Sequence, residues 1–193
     1  MTDTHLELQT MRPMRADARR NYDKLVAAAR EIFAAEGTSA PLEDVAARAG
    51  VGIGTLYRRF PTRQALLEAV YLEEVQAIAA AAAELSDLEP WEALSQWLHR
   101  YVGFAATKRA LTEALLEAAP ESGVLLACRT ALLDAGSALI ERAQEAGAVR
   151  ADVDFPDVGR MVSGIAVVPT VDDEQKRRLL DLALDGLRYR PES

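Results

Sequence analysis

The sequence predicts an all-α protein of about nine helices, a small three-helix unit near the N-terminus followed by a larger helical bundle. Three observations predict it. Apolar residues recur at helical spacing along most of the chain, glycines and prolines fall where those stripes start or stop, and no segment alternates convincingly at period two. Residues 165–171 are rich in β-branched side chains, but the stretch is short and contains Pro169.

Leu25, Ala28, Ala29, Ile32 and Phe33 form the stripe of a first helix that stops at Gly37. Pro41 starts the second helix at a position where a missing N–H costs nothing. Val45, Ala49 and Val51 supply the buried contacts around a turn, Ala46 is small enough to admit the next helix, and Gly50 takes the positive φ of the corner. Leu56 and Phe60, four apart, point inward from a short third helix. Thr62 caps a fourth helix over 62–85, with Leu66, Leu67, Val70, Tyr71, Val75 and Ile78 inside. Residues 86–89 make a polar break, and Pro90 opens a helix bearing Trp91, Leu94, Trp97, Leu98, Tyr101 and Phe104. A short helix over 111–118 ends before Pro120, and a long one over 124–146 is closed by Gly147. Asp154 and Pro156 cap and begin a helix through Met161 and Ile165, and a last helix runs over about 172–189.

The chain of 193 residues is long enough to bury a substantial core. Its one cysteine, Cys128, excludes an internal disulfide framework and a cysteine-built zinc site. No apolar run approaches a membrane span and no signal peptide is recognised, so a cytoplasmic protein is expected. The net charge of −8 is unevenly spread. Residues 1–63 carry ten basic and eight acidic side chains, residues 64–193 twelve and twenty-two. Arg12, Arg15, Arg19, Arg20 and Lys24 meet only Asp17 and Asp23 nearby, so residues 1–19 are expected to form a flexible basic arm able to reach phosphates.

Residues 42–63, LEDVAARAGVGIGTLYRRFPTR, have the pattern of a DNA-binding helix-turn-helix. With Leu56 and Phe60 inside, Ile53, Gly54, Thr55, Tyr57, Arg58 and Arg59 face outward or sideways, a polar, aromatic and basic surface suited to a major groove. The Tyr57 hydroxyl, Arg58, Arg59 and Arg63 suit backbone phosphates, and Thr55 and Ile53 suit base edges, above all a thymine methyl. Arg58 or Arg48 has the fork to read guanine, although Arg48 reads first as a solvated face of the second helix.

The stretches KLVAAAREIFAAEG and LEDVAARAGVGIGTLYRRFPTRQALLEAV resemble the N-terminal domain of the tetracycline-repressor family of bacterial regulators, over roughly residues 20–75. The resemblance implies a three-helix DNA-binding domain over 20–65, a connecting fourth helix, and a helical domain over 66–193 that binds a small effector and forms a homodimer through its last two helices. It also implies that Thr55, Tyr57 and Arg59 touch phosphates or bases, and that Arg63 replaces a phosphate-binding lysine. Two residues depart from the family pattern. Gly52 stands for the serine that usually caps the recognition helix, and Pro41 for a threonine that often contacts phosphate. Gly52 should cost about 0.5 kcal/mol or less relative to serine.

Trp97, Tyr101, Phe104, Leu132, Met161 and Ile165 are the candidate pocket residues, though apolar spacing alone serves a filled core equally well. Gly159, Ser163 and Gly164, with the leucine-rich last helix, suggest a homodimer interface. The expected function is sequence-specific regulation of transcription through a palindromic operator, with repression relieved by a small-molecule effector and activation left open. No cofactor or metal is called for, and an enzyme is disfavoured: there are two histidines, no phosphate loop and no nucleophile motif. A helical module that contacts another protein is the remaining alternative.

Overall fold

The computed structural model describes residues 16–118, 122–168 and 172–188. Among these the chain is helical: α1 (Ala16–Glu36), α2 (Leu42–Ala49), α3 (Ile53–Arg59), α4 (Arg63–Glu84), α5 (Pro90–Ala118), α6 (Gly123–Glu145), α7 (Phe155–Ala166) and α8 (Asp173–Asp185). An isolated antiparallel bridge between Val149 and Arg188 is the β-type pairing found among them. The chain divides into two compact units between Leu66 and Leu67, within α4.

In the first unit α1 packs on α2, burying Leu25, Val26, Ala29, Ile32 and Phe33 with Val45, Ala46 and Ala49. Gly37 ends α1 at φ 88° and Gly50 ends α2 at φ 68°, values that a side chain would strain. The amides of Gly50 and Val51 donate to the carbonyls of Ala47 and Ala46, which turns the chain directly into α3. Val51 itself is only half-buried, because the tight turn leaves it at the edge of the helix pair. Pro41 is the cap residue rather than the first helical one, with an extended ψ of 137°. The Thr62 hydroxyl accepts from the Ala65 amide at 3.1 Å and caps α4.

In the second unit α5 is the central element, packed by α6, α7 and α8. It runs unbroken where the sequence suggested two helices over 90–104 and 111–118. The apolar stripe between them is interrupted by Lys108, which is nevertheless buried and faces the Glu74 carboxylate at 3.3 Å. A paired lysine inside the stripe conceals the helix from hydrophobic periodicity. Trp97 is fully buried and its indole N–H donates to the Ile78 carbonyl at 2.8 Å. The Asp154 carboxylate accepts from the Asp157 amide at 3.0 Å and caps α7, and Asp172 caps α8 in the same way. The last helix ends at Asp185, earlier than expected, because the chain turns there and the Arg150 amide bonds the Leu187 carbonyl. Tyr189 lies outside the described residues.

The expectation that no run approaches membrane length needs correction. Gly123–Glu145 is long and apolar enough to span a bilayer by length and composition alone. It carries only Arg129 and Asp134 in its middle, while Cys128, Leu132, Leu139, Ile140 and Ala143 belong to the core of the second unit. Aliphatic residues on both its buried and its exposed sides raise its mean hydropathy.

Gly136 of α6 permits a close approach. A Cβ there would lie 2.3 Å from the Phe155 ring, and that ring is held edge-on by Trp97 and Tyr101. Gly136→Ala should therefore destabilise the protein by about 1–3 kcal/mol, measured by denaturant unfolding. Unchanged stability would mean that the ring moves freely.

Cys128 is buried, and desolvation pushes its thiol from the ordinary 9.0 up to about 11. Well below pH 9 the thiol is neutral in both folded and unfolded chains and contributes no pH dependence. Between pH 9 and about 11 the unfolded chain ionises first, so stability falls as pH rises. Thiol reagents at about pH 8 should label Cys128 only after unfolding, and rapid labelling of the native protein would contradict its burial.

Candidate nucleic-acid interface and effector cavity

On α3, each residue turns the side-chain direction by about 100°. Ile53, Gly54, Tyr57 and Arg58 consequently share one exposed face, opposite buried Leu56. Ile53 and Tyr57, next to each other on this face, are 36% and 46% exposed. Gly52 precedes the helix in an extended conformation and supplies no side-chain cap.

Thr55 and Arg59 lie on the flank instead. Both are half-buried, and the Thr55 hydroxyl accepts from Arg58 at 3.2 Å. The Arg59 guanidinium sits 4.9 Å from the centre of the Tyr22 ring, which itself leans on Phe60. The Arg59 Nε is buried with no hydrogen-bond partner among the described residues. Arg59 thus joins α1 to α3 before it reaches any ligand.

Arg63 is also engaged within its own unit. One of its terminal nitrogens donates to the carbonyls of Thr38 and Ala40 at 3.0 and 2.6 Å, pinning the loop before α2 to the start of α4. Arg48 donates to the Glu31 carboxylate at 2.9 Å, which fits the solvated-face reading and draws it toward α1. Arg19, expected in the flexible arm, lies within α1 together with Arg20, and the two pair with Asp23 and Asp17. Helix formation brings these i,i+3 and i,i+4 charges together, and both pairs are exposed. The remaining arm, residues 1–15, lies outside the described residues.

The second unit holds a cavity of about 860 Å³ between α4, α5, α6 and α7. Tyr71, Tyr101 and Phe155 provide aromatic walls, and Leu116, Leu125 and Leu132 aliphatic ones. Burial raises the Tyr71 phenol above its ordinary pKa, partly offset by a hydrogen bond with Thr112. Of the six expected pocket residues, Tyr101 and Leu132 line this cavity; Trp97, Phe104, Met161 and Ile165 do not. Trp97 stacks behind Tyr101, ring centres 5.4 Å apart, as core. Phe104 packs against Tyr71 and Tyr101 from outside the lining.

Met161 and Ile165 miss the cavity for a geometric reason. Phe155, Pro156, Gly159 and Ser163 turn one face of α7 toward it, and the helical step carries Met161 and Ile165 to the other side. The same geometry divides the three residues expected at a dimer surface. Gly159 is buried, where an added Cβ would lie 3.4 Å from the Phe155 ring, and the Ser163 hydroxyl lies 3.4 Å from that of Tyr101, so both face inward, whereas Gly164 is exposed. Sequence reasoning missed Arg129, Arg160, Thr112 and Ser122 in the cavity wall. For Arg129 the signal was present: an arginine within the apolar stripe of Leu125, Leu132 and Leu133.

Residues 25–70 match the family of bacterial regulatory proteins called tetR, and residues 89–189 match the C-terminal domain of SbtR-like transcriptional regulators. No curated protein matches the sequence. Among solved structures, the TetR transcriptional regulator SCO0520 from Streptomyces coelicolor is 40% identical, covering 87% of this chain and 98% of its own, with a TM-score of 0.73. A TetR regulatory protein from Mycobacterium vanbaalenii is 36% identical over 91% and 99% of the two chains, with a TM-score of 0.72. A third, solved as a molecular basis for control of antibiotic production by a bacterial hormone, is 25% identical over 90% and 100%, with a TM-score of 0.69. The helix-turn-helix, the helical second unit and these matches along both together show that the chain is a DNA-binding transcriptional regulator of the TetR family, with no enzymatic role.

Proposed function

We propose that this regulator is a cytoplasmic homodimeric repressor whose hold on a palindromic operator is released by a small molecule in the α4–α7 cavity. The observation that carries this reading is the cavity's link to α4. The Ser122 hydroxyl lies in the cavity wall and donates to the Glu68 carboxylate at 3.1 Å. Glu68 stands one turn into α4, the helix whose first residues belong to the helix-turn-helix unit. A ligand that displaces Ser122 acts on α4 directly, and a coupling of about 1–3 kcal/mol is enough to change operator affinity. The third structure's bacterial hormone lends the ligand-responsive reading support by likeness.

In this reading Ile53, Gly54, Tyr57 and Arg58 enter the major groove, while Thr55, Arg59 and Arg63 chiefly position them. The pairing surface is α7 with α8, where Leu182 of α8 is 70% exposed and Val167 and Val168, just after α7, are exposed as well. A two-fold dimer presents two recognition helices at a fixed half-site spacing.

The test is selection from a random duplex library at near-physiological salt, with the particle mass measured in parallel. A palindrome recovered by a two-chain particle is expected. A folded one-chain particle, or a non-symmetric site, would overturn the dimeric operator.

A further inference from the structure

We infer that the cavity takes an amphipathic anion, an apolar body ending in a carboxylate or similar acid that is held by Arg129; this rests on the effector reading above. The wall is mainly aromatic and aliphatic, and its volume of about 860 Å³ fits one drug-sized molecule. What fixes the chemistry is which polar groups remain available.

The hydroxyls are largely committed. Tyr101 pairs with Ser163, Thr112 donates to the Lys108 carbonyl and shares a bond with Tyr71, and Ser122 donates to Glu68. The charged side chains in the wall are both arginines. Arg160 donates to Asp157 at 3.2 Å, an exposed pair that yields readily to a competing anion. Arg129 has no carboxylate or hydrogen-bond partner among the described residues, although residues 64–193 hold twenty-two acids against twelve bases. Arg129 is exposed to solvent, and its unengaged guanidinium beside the apolar lining offers paired N–H donors in the fork that carboxylates match. A neutral ligand would meet those donors only with uncharged acceptors, and a cationic one would be repelled.

Four probes decide the matter on the full-length protein by titration calorimetry: dodecanoate, 2-naphthoate and the primary amide of each. At least one acid is expected to bind about tenfold or more tightly than its amide, the increment of a charge-assisted bond. Arg129→Gln should erase that preference while leaving amide binding and thermal unfolding unchanged, an outcome that a merely structural arginine would not produce. Amides bound as tightly as acids, or an acid preference that survives Arg129→Gln, would overturn the anion assignment and leave the cavity as an effector site. Binding of none of the four would overturn the anion assignment, and a ligand of another class that still releases the operator would show the effector reading intact.

Discussion

Trp97→Ala should cost about 3–5 kcal/mol of stability, the largest loss expected from a single substitution in this chain. The indole is fully buried, lies 5.4 Å from Tyr101 in a stacked pair and 5.5 Å from Phe155 edge-on, and bonds the Ile78 carbonyl of α4. Truncation empties the space behind two cavity walls at once. Trp97→Phe keeps an aromatic body and should lose less, chiefly the hydrogen bond and the rim of the ring. Equilibrium unfolding in denaturant reads both variants. A Trp97→Ala loss under about 1 kcal/mol would show that Tyr101 and Phe155 collapse into the gap, and the cavity would then be plastic rather than preformed.

Tyr57→Ala combined with Arg58→Ala should lower operator affinity about a hundredfold or more without changing thermal unfolding. Both side chains stand on the exposed face of α3 and neither helps to build the core, so the folded state loses little. In a groove each would supply about 1–3 kcal/mol, and the two sum to that effect if they act independently. Arg59→Ala makes a useful contrast. Its guanidinium lies on Tyr22 and its Nε is buried, so the variant should weaken binding to all sequences alike and also lower the melting temperature. Full operator affinity in the double variant would place the recognition surface elsewhere.

Much of the fold was legible in the sequence because helices announce themselves locally. The stripe from Leu25 to Phe33, the left-handed glycines at 37 and 50, the Thr62 and Asp154 caps and the inward Leu56 and Phe60 each depend on neighbours within a turn or two. The helix-turn-helix was readable for the same reason. Where local rules met a tertiary partner they failed: Lys108 broke the apparent periodicity of α5 because Glu74, thirty-four positions away, satisfies its charge.

The sequence by itself determined the helical class, the helix-turn-helix and the outward placement of Ile53, Gly54, Tyr57 and Arg58, since all of these follow from helical periodicity and turn chemistry. Only the tertiary structure decided which arginines are free. Arg48, Arg59 and Arg63 are drawn to Glu31, Tyr22 and the carbonyls of Thr38 and Ala40, while Arg129 is left open on a cavity wall. It also separated Tyr101 and Leu132, which line the cavity, from Trp97, Phe104, Met161 and Ile165, which do not. The physical reason is that an apolar or basic side chain is equally compatible with several environments, and the helix that packs across from it selects one.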